Sequence, residues 1–424
     1  MTPVRKWWRQ RAIVVLAITF VGLLVSAGVR SAPSVLMVPL QIHFGWDRAT
    51  VSATSAVGIV LYGLVGPFAA ALMMSVGIRR TMAGGLLLMG LATFASQWMT
   101  QSWHYMLTWG VVSGLGSGAV ASVLGAAIVT RWFAARQGLA MGVLAASTAT
   151  GSLIFLPVLA WLTSSGAWLP VVRVVGCACL VLVPLVLVFM PEHPRDVGAR
   201  RFGEDHDLPP AAPIAARASL VFAFGVLGRA TRVPTFWLLF GTFFVCGLTT
   251  NGLVGTHLIA YCGDHGIAPV AAAGLLSTMG LFDLLGTTAS GWLTDRYDPR
   301  RLLVAYYGLR GASLIVLPFC NFGPASLGLF AVFYGLDWIA TVPPTLALAT
   351  RAFGTREAPV VYGWVNVGHQ LGAAVAAFGA GLVRQEFGRY DPAFMIAGAF
   401  GVIAAAALIV SIAQTRQPAT PQPA

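Results

Sequence analysis

The side chains of this sequence that could do chemistry are a few polar residues inside long apolar stretches. They are Arg30, Asn251, His257, Asp283, Arg310, Asp337, His369 and Gln370. An ionisable group at membrane depth is costly, so it usually faces a protein interior or an aqueous cavity rather than lipid. A guanidinium can hold a carboxylate through two parallel hydrogen bonds, and carboxylates and imidazoles can exchange protons. The set therefore predicts the binding of a small anion together with the movement of protons.

Arg30 is the predicted anion-binding residue, because few other cations lie within the apolar stretches. The alternative is an arginine that is neutralised by a neighbouring helix or that extends its side chain to the membrane surface. Pro33 and Pro39 follow in the same stretch, and we expect them to interrupt its helix.

Two histidines and two amides are further substrate-binding candidates. His257 and Asn251 lie in one apolar stretch, and His369 and Gln370 lie in another. A histidine can donate a hydrogen bond to an anion and can titrate near neutral pH. The competing interpretation for each histidine is a hydrogen-bonded residue of the bundle interior.

Two carboxylates in apolar stretches are the predicted proton carriers. Asp283 either takes up the proton or forms a structural ion pair with Arg310. Asp337 is the second proton candidate, and its alternative role is to pair with Arg310 or Arg30. The double proline Pro343-Pro344 follows Asp337 and removes backbone donors, so we expect an interruption of that helix facing a cavity.

No motif of an enzyme is present. The sequence has no phosphate-binding loop, no dinucleotide fingerprint after a strand, and no histidine spacing typical of a metal site. We therefore expect no catalytic role, no cofactor and no metal. The five cysteines have no framework spacing, and the four that lie in apolar stretches and are interpreted as reduced packing residues are Cys177, Cys179, Cys246 and Cys320.

The composition is that of an integral membrane protein. The 424-residue chain is 57% hydrophobic and only 9% charged, with a mean hydropathy of +0.80, whereas a soluble domain has about 25% charged residues. Twelve apolar stretches are each long enough for a tilted transmembrane helix. They are 12–38, 50–73, 81–99, 103–129, 138–162, 168–190, 235–261, 270–294, 302–319, 324–350, 358–383 and 392–413.

Basic residues alternate between the loops and predict the orientation of the chain. Loops on one side, with both termini, carry most of the charge that makes the net value +12, whereas the opposite loops carry only Arg48, Arg384 and Arg389. The positive-inside rule then places both termini in the cytoplasm, with the chain in the inner membrane. Because the arginines lie between apolar stretches, we expect no nucleic-acid binding.

The chain is expected to divide into a six-helix half at 1–190, a cytoplasmic linker at 191–234 and a second six-helix half with a short tail at 235–424. The linker is rich in proline and alanine and predicts a flexible segment. An internal repeat relates the halves. An offset of 221 places Gly45 on Gly266, Arg79 on Arg300, Arg80 on Arg301, Gly114 on Gly335, Gly142 on Gly363 and Gly151 on Gly372.

The loop after the eighth stretch, GWLTDRYDPRR at 291–301, resembles the G-x-L-x-D-R-x-G-x-R-R signature of the major facilitator superfamily. Its matching polar and glycine positions are Gly291, Asp295, Arg296, Arg300 and Arg301. The resemblance implies two halves related by a parallel repeat, a cavity lined by helices 1, 4, 7 and 10, and a monomer. Asp298 stands where the pattern has glycine. The first-half copy has Met74 at the aspartate position, so only Asp295 can supply the carboxylate latch of the family.

A narrower resemblance covers most of the first half and parts of the second. The segments FGWDRA at 44–49 and WFAARQGLAMG at 132–142, followed by Gly151 and Pro157, are similar to bacterial monocarboxylate and oxalate/formate transporters. That resemblance implies a small organic anion as the substrate, moved by proton symport or anion exchange.

Three features depart from that group and its relatives. Asp283 is followed four residues later by Thr287, where eukaryotic monocarboxylate carriers have arginine. Arg30 lies about one turn before the lysine that the group carries on its first helix. The fifth helix lacks the Gly-Pro motif of antiporters.

We therefore predict a proton-coupled transporter of a small organic anion, a monocarboxylate, that works by alternating access. Its partners would be the small-molecule substrate, protons and membrane lipid. Arg30 with His257 or His369 would hold the carboxylate, and Asp283 or Asp337 would take the proton. Two alternatives are an efflux pump for an amphipathic drug or metabolite, and a membrane sensor that binds a ligand without moving it.

Overall fold

The computed structural model describes residues 3–46, 48–163, 167–204 and 219–416, and these are almost entirely helical. Twelve long helices follow the order that the hydropathy predicts. They are α1 Pro3–Phe44, α2 Arg48–Ser75, α3 Ile78–Ala95, α4 Ser102–Trp132, α5 Gln137–Leu162, α6 Leu169–Phe189, α7 Pro234–Asp264, α8 Pro269–Thr294, α9 Pro299–Phe319, α10 324–353, α11 355–387 and α12 Asp391–Arg416. The prediction of twelve apolar helices is confirmed.

Nine described stretches are long and apolar enough to cross a membrane by themselves. One of them, Pro324–Phe387, contains both α10 and α11, and α3 and α8 complete the twelve. Gly354 separates α10 from α11, because its φ of +74° lies in the left-handed region that glycine adopts without a Cβ clash.

The second half shows why its helices begin where they do. α7, α8, α9 and α10 begin with Pro234, Pro269, Pro299 and Pro324. Proline suits the first helical position, because its φ is already helical and the missing N–H would have had no partner there. Asp298 adds a side-chain cap to α9 by accepting a hydrogen bond from the backbone N of Arg300 at 3.0 Å.

The expected interruption of the first helix is wrong. α1 remains helical through Pro33 and Pro39. A proline frees one backbone carbonyl, and neighbouring helices and serine side chains in a membrane bundle can compensate for that loss.

Two other helices are interrupted, at positions that the repeat relates. α4 loses helical geometry at Val120 and Ala121, and the backbone is extended at Ala121. α10 is interrupted at 338–341, directly before Pro343-Pro344, as the double proline predicted. An offset of 221 takes Val120 to Thr341, so the two breaks occupy matching places in the two halves.

α1 to α6 and α7 to α12 form the two six-helix halves, which contact each other mainly through α5 with α8 and α2 with α11. We call the end of the bundle that carries Arg79, Arg131 and Arg300 the basic end. At this end Gly138 of α5 and Gly291 of α8 bring their backbones together, because a Cβ on either residue would overlap the carbonyl group of the other.

Residues 205–218 of the segment between the halves lie outside the described residues. A short helix, Ser219–Ala230, lies between α6 and α7, and we call it the linker helix. The Trp364 side chain of α11 donates to the Ala223 carbonyl at 3.1 Å, and the Phe224 ring packs on Phe68 of α2. The linker helix thus contacts both halves, whereas the composition predicted a flexible segment.

Candidate functional site

The signature loop joins the two halves at the basic end. The Asp295 carboxylate accepts hydrogen bonds from the backbone N of Gly138 at 2.7 Å and of Leu139 at 2.9 Å. These donors are the first N–H groups of α5, where the helix dipole also favours a negative charge. The Arg296 guanidinium lies 3.9 Å from the centre of the Trp292 ring. Asp295 therefore caps a helix of the opposite half.

The first half lacks this arrangement and uses another carboxylate. Glu192, just after α6, accepts from the backbone N of Ile78 at 2.6 Å and of Arg79 at 3.0 Å, and it pairs with Arg131. This cap on α3 joins elements of one half only. The first-half loop has Met74 where the signature has aspartate. A hydrogen bond from a signature carboxylate to the opposite half therefore occurs at one of the two positions that the repeat relates, that of Asp295.

A polar cluster lies inside the second half, centred on Arg310 of α9. Its guanidinium is fully buried, and Nε lies 2.7 Å from Oδ2 of Asp337 on α10. The same guanidinium donates to the carbonyls of Asp337 and Trp338 and to the Cys246 thiol at 3.2 Å. Arg310 thus holds the backbone of the α10 interruption as well as a carboxylate.

Asp283 of α8 holds the other side of that interruption. Its Oδ1 accepts from the Thr287 hydroxyl at 2.6 Å and from the backbone N of Ile339 at 3.0 Å. Ser290, two turns along the same helix, donates to the Ala340 carbonyl at 2.5 Å. The residue that pairs with Arg310 is Asp337, and Asp283 is bound to backbone and hydroxyl instead.

The charges of this cluster do not balance when both carboxylates are ionised. Asp283 is 1% exposed and Asp337 is 7% exposed, and the guanidinium that the structure describes in this cluster is that of Arg310, paired with Asp337. Oδ2 of Asp283 and Oδ1 of Asp337 have no hydrogen-bond partner among the described residues. An uncompensated buried charge is strongly unfavourable, so the cluster is suited to take up one positive charge.

Arg30 lies apart from this cluster, in a pocket between α1, α2 and α4. Its guanidinium donates to the Ser26 hydroxyl at 3.0 Å and stacks 4.4 Å above the Tyr62 ring. Within the described part of the chain it has no carboxylate partner. The pocket is lined by Val29, Arg30, Pro33, Thr54, Ser55, Gly58, Ile59, Trp109, Ser113, Gly114 and Ser117.

The histidines do not meet Arg30 in this structure. His257 uses both ring nitrogens, with Nδ1 3.3 Å from the Tyr390 hydroxyl and Nε2 2.9 Å from the Ala377 carbonyl. This geometry fits the bundle-interior interpretation of that residue. His369 packs its ring 5.1 Å from Phe243, and its Nδ1 is buried without a partner among the described residues.

The two amides occupy different surroundings. The Asn251 side chain is exposed, in a π-helical turn of α7. Gln370 of α11 packs against Gly63 of α2, where a Cβ would stand 2.7 Å from the glutamine Cγ. Gln370 therefore lies in the contact between the halves.

Sequence reasoning missed several members of both sites. In the cluster it missed Ser290 and Thr341, and it interpreted Cys246 as a packing residue although the thiol lies 3.2 Å from the Thr341 hydroxyl. In the pocket it missed Trp109 and Ser113. Trp109, Ser113 and Ser117 recur every four residues and so share one helix face, a signal that the sequence does contain. No group of three metal-binding side chains occurs among the described residues.

Comparison with known proteins shows which family has this architecture. Residues 19–377 match the family model of the Major Facilitator Superfamily. The chain is 29% identical over 399 residues to monocarboxylate transporter 13 of Rattus norvegicus, covering 94% of this chain and 88% of the relative. It is 24% identical over 387 residues to the uncharacterised MFS-type transporter YcxA of Bacillus subtilis (strain 168), covering 90% and 89%.

A solved structure shares this fold. The chain superposes on the crystal structure of the transporter FucP in the outward conformation with a TM-score of 0.71 and 16% identity, over 96% of this chain and 100% of that one. The family model spans most of the sequence, and the signature loop, the repeat and the two halves agree with it. The chain therefore belongs to the Major Facilitator Superfamily, whose members are multi-pass membrane transporters rather than enzymes.

Proposed function

We propose that this transporter carries a small organic anion, a monocarboxylate, together with a proton. The observation that carries the proposal is Arg30, a guanidinium at a pocket between three helices with no carboxylate partner in the described part of the chain. A cation held this way has free donors for a carboxylate. The name of the rat relative, a monocarboxylate transporter, supports the same substrate class.

Proton coupling is assigned to the polar cluster of the second half. Asp283 is the first candidate, because one carboxylate oxygen is already bound while Oδ2 is buried without a partner among the described residues. Asp337 is the second candidate, because its Oδ1 also has no partner in the part of the chain that the structure describes. Uptake of one proton would leave one carboxylate to balance Arg310 and would remove the unfavourable charge.

Alternating access follows from where the halves touch. The close contacts Gly138–Gly291 and Gly63–Gln370 lie from the middle of the bundle to its basic end. With the basic end in the cytoplasm and the chain in the inner membrane, as the arginine distribution predicts, the conformation described above is closed toward the cytoplasm. Rocking of one half against the other would then open the cytoplasmic side. We expect the transporter to act as a monomer.

The test is flux in proteoliposomes that contain an internal pH dye. A panel of monocarboxylates and dicarboxylates is added with and without an imposed pH gradient. We expect acidification that follows one or a few monocarboxylates and that Arg30→Ala reduces at least about tenfold, the effect of losing roughly 1.5–3 kcal/mol of charge-assisted hydrogen bonding. Arg389→Ala, at an exposed arginine of the turn between α11 and α12, is the matched control.

Each other outcome has a defined meaning. Exchange of labelled against unlabelled anion without proton movement would replace symport by antiport. Normal transport by Arg30→Ala and by both histidine variants would remove the proposed substrate contacts. Silence across the whole panel would favour the efflux of an amphipathic compound, and ligand binding without any flux would favour a sensor.

A further inference from the structure

The two sides of the closed basic end are held differently. On the α5–α8 side, the Asp295 carboxylate accepts a hydrogen bond from the backbone N of Gly138 at 2.7 Å. The offset of 221 relates this pair to Met74 and Pro359, on the α2–α11 side of the bundle. Methionine has no carboxylate and proline has no N–H, so the equivalent hydrogen bond cannot form there.

The repeat relates these two sides in the structure as well as in the sequence. A Cβ on Gly142 of α5 would stand 2.6 Å from the Thr287 carbonyl oxygen of α8, and one on Gly363 of α11 would stand 3.1 Å from the Gly66 carbonyl carbon of α2. The offset of 221 relates Gly142 to Gly363 and Gly66 to Thr287. The helices therefore meet at equivalent positions on both sides, but the signature carboxylate is present on one side only.

The linker helix lies across the side that lacks the carboxylate. Its Phe224 ring lies 5.4 Å from the Phe68 ring of α2 and 5.7 Å from the Trp364 ring of α11, and those two rings are 5.6 Å apart. Ala223 and Val226, on the inner face of the linker helix, are fully buried. Aromatic rings from three elements thus form one contact that spans both halves.

The linker helix is attached more firmly to the second half than to the first. Trp364 of α11 donates its indole N–H to this helix, and Arg229 forms an ion pair with Glu357 of α11 at 2.6 Å. Trp237 of α7 donates to the carbonyl of Thr231, in the short turn between the linker helix and α7, at 2.8 Å. These polar contacts lead to α7 and α11, whereas the contact with α2 is between aromatic rings. When the halves move apart, the linker helix should therefore stay with the second half and separate from α2.

We propose that the linker helix is a strap that holds the basic end closed on the α2–α11 side, in place of the signature carboxylate that the first half lacks. The contact that breaks on opening is the one between Phe224 and Phe68. Its strength, together with the hydrogen bonds of Asp295 on the other side, sets how often the basic end opens. This role concerns a conformational change and does not depend on which substrate is carried.

The test measures opening of the basic end through the accessibility of a buried position. Thr294→Cys is introduced in a background without Cys177 and Cys320, and its labelling by a membrane-impermeant thiol reagent is timed in proteoliposomes. Phe224→Ala and Phe68→Ala should each accelerate labelling about two- to tenfold, the effect of losing one aromatic pair. Because both variants remove the same contact, the double variant should label no faster than Phe68→Ala alone.

Controls separate the strap contact from a general effect on the linker helix. Val221→Ala removes an apolar side chain that is 74% exposed on the same helix, so it should label at the original rate. Gly228→Ala adds a methyl group that would meet nothing within 4 Å and should also leave the rate unchanged. Melting temperatures in detergent check that each variant is folded.

Three results would overturn the proposal. Labelling at the original rate in both Phe224→Ala and Phe68→Ala would show that their contact does not hold the basic end closed. Multiplied effects in the double variant would show that the two rings act independently. An acceleration by Val221→Ala as large as that by Phe224→Ala would assign the effect to the whole helix rather than to its contact with α2. The labelling needs no substrate, so its outcome is independent of the anion and proton sites proposed above.

Discussion

At the scale of single residues, Arg310 has the largest set of side-chain hydrogen-bond partners that the structure describes in the second half. It meets the Asp337 carboxylate, two carbonyls of the α10 interruption and the Cys246 thiol. Removing one partner of such a buried pair leaves a charge without compensation, whereas replacing both partners by apolar residues removes the charge altogether. Comparing the single and the double replacement therefore distinguishes a structural ion pair from a pair whose carboxylate carries the proton.

The first prediction compares single and double replacement of this pair. Arg310→Met alone should lower the free energy of unfolding by about 3–5 kcal/mol, and Arg310→Met with Asp337→Leu should regain most of that loss. Thermal unfolding in detergent, followed by tryptophan fluorescence, measures both. Proton-coupled uptake by the stable double variant would show that Asp337 is not the proton carrier. A double variant no more stable than the single one would contradict the pairing argument.

At the scale of elements, α5 and α8 form the contact that closes the basic end. Glycines allow their backbones to touch, and the Asp295 carboxylate adds two hydrogen bonds to the first turn of α5. Thr294 is 4% exposed and lies against Gly138 in the same contact, so we expect that separating the two helices would uncover it. A methyl group added at either glycine should therefore change the balance between closed and open conformations rather than the substrate or proton sites.

The second prediction uses two glycines of the same helix. Gly291→Ala should disfavour the closed basic end, because its Cβ would overlap the Gly138 carbonyl and overpacking costs about 1–3 kcal/mol. In a background with Thr294→Cys and without Cys177 and Cys320, labelling by a membrane-impermeant thiol reagent should then accelerate at least about fivefold. Gly280→Ala, whose Cβ would meet nothing within 4 Å, is the control and should label at the original rate. Equal labelling in both variants would contradict the closure role.

At the scale of the whole molecule, the two proposed tasks lie in different halves. Arg30 and its pocket belong to the first half, and the carboxylate cluster belongs to the second. The repeat places Tyr62 on Asp283, so the related position of the first half carries an aromatic ring and no carboxylate. Substrate and proton sites in separate halves can act together only through the conformational change that moves the halves.

The third prediction follows from that separation. Asp283→Asn keeps a carbonyl oxygen for Thr287 and Ile339 but cannot release a proton, so it should retain exchange of labelled for unlabelled anion and lose accumulation driven by a pH gradient. Arg30→Ala should lose both activities, because substrate binding is required for each. If Asp283→Asn retains both activities, the proton carrier is Asp337 or a histidine. Both activities lost in a folded Asp283→Asn protein would make that carboxylate structural.

The amino-acid sequence by itself determined the twelve helices, the repeat and the signature loop. Each of these depends on local composition: apolar length sets a membrane span, proline begins helices at fixed places, and one offset of 221 aligns glycines and arginines. The double proline likewise predicted the interruption of α10. The prolines of α1 misled, because packing against neighbouring helices decides whether a proline ends a membrane helix.

Only the tertiary structure decided which polar residues meet. It paired Arg310 with Asp337, bound Asp283 to the Ile339 backbone, and satisfied both nitrogens of His257 within the second half. It also brought Ser113 and Trp109 beside Arg30. Sequence spacing places residues on one face of one helix, whereas the partner of a buried charge depends on the rotation and depth of neighbouring helices. Those are set by the packing of whole helix faces, which the spacing of a few polar residues does not contain.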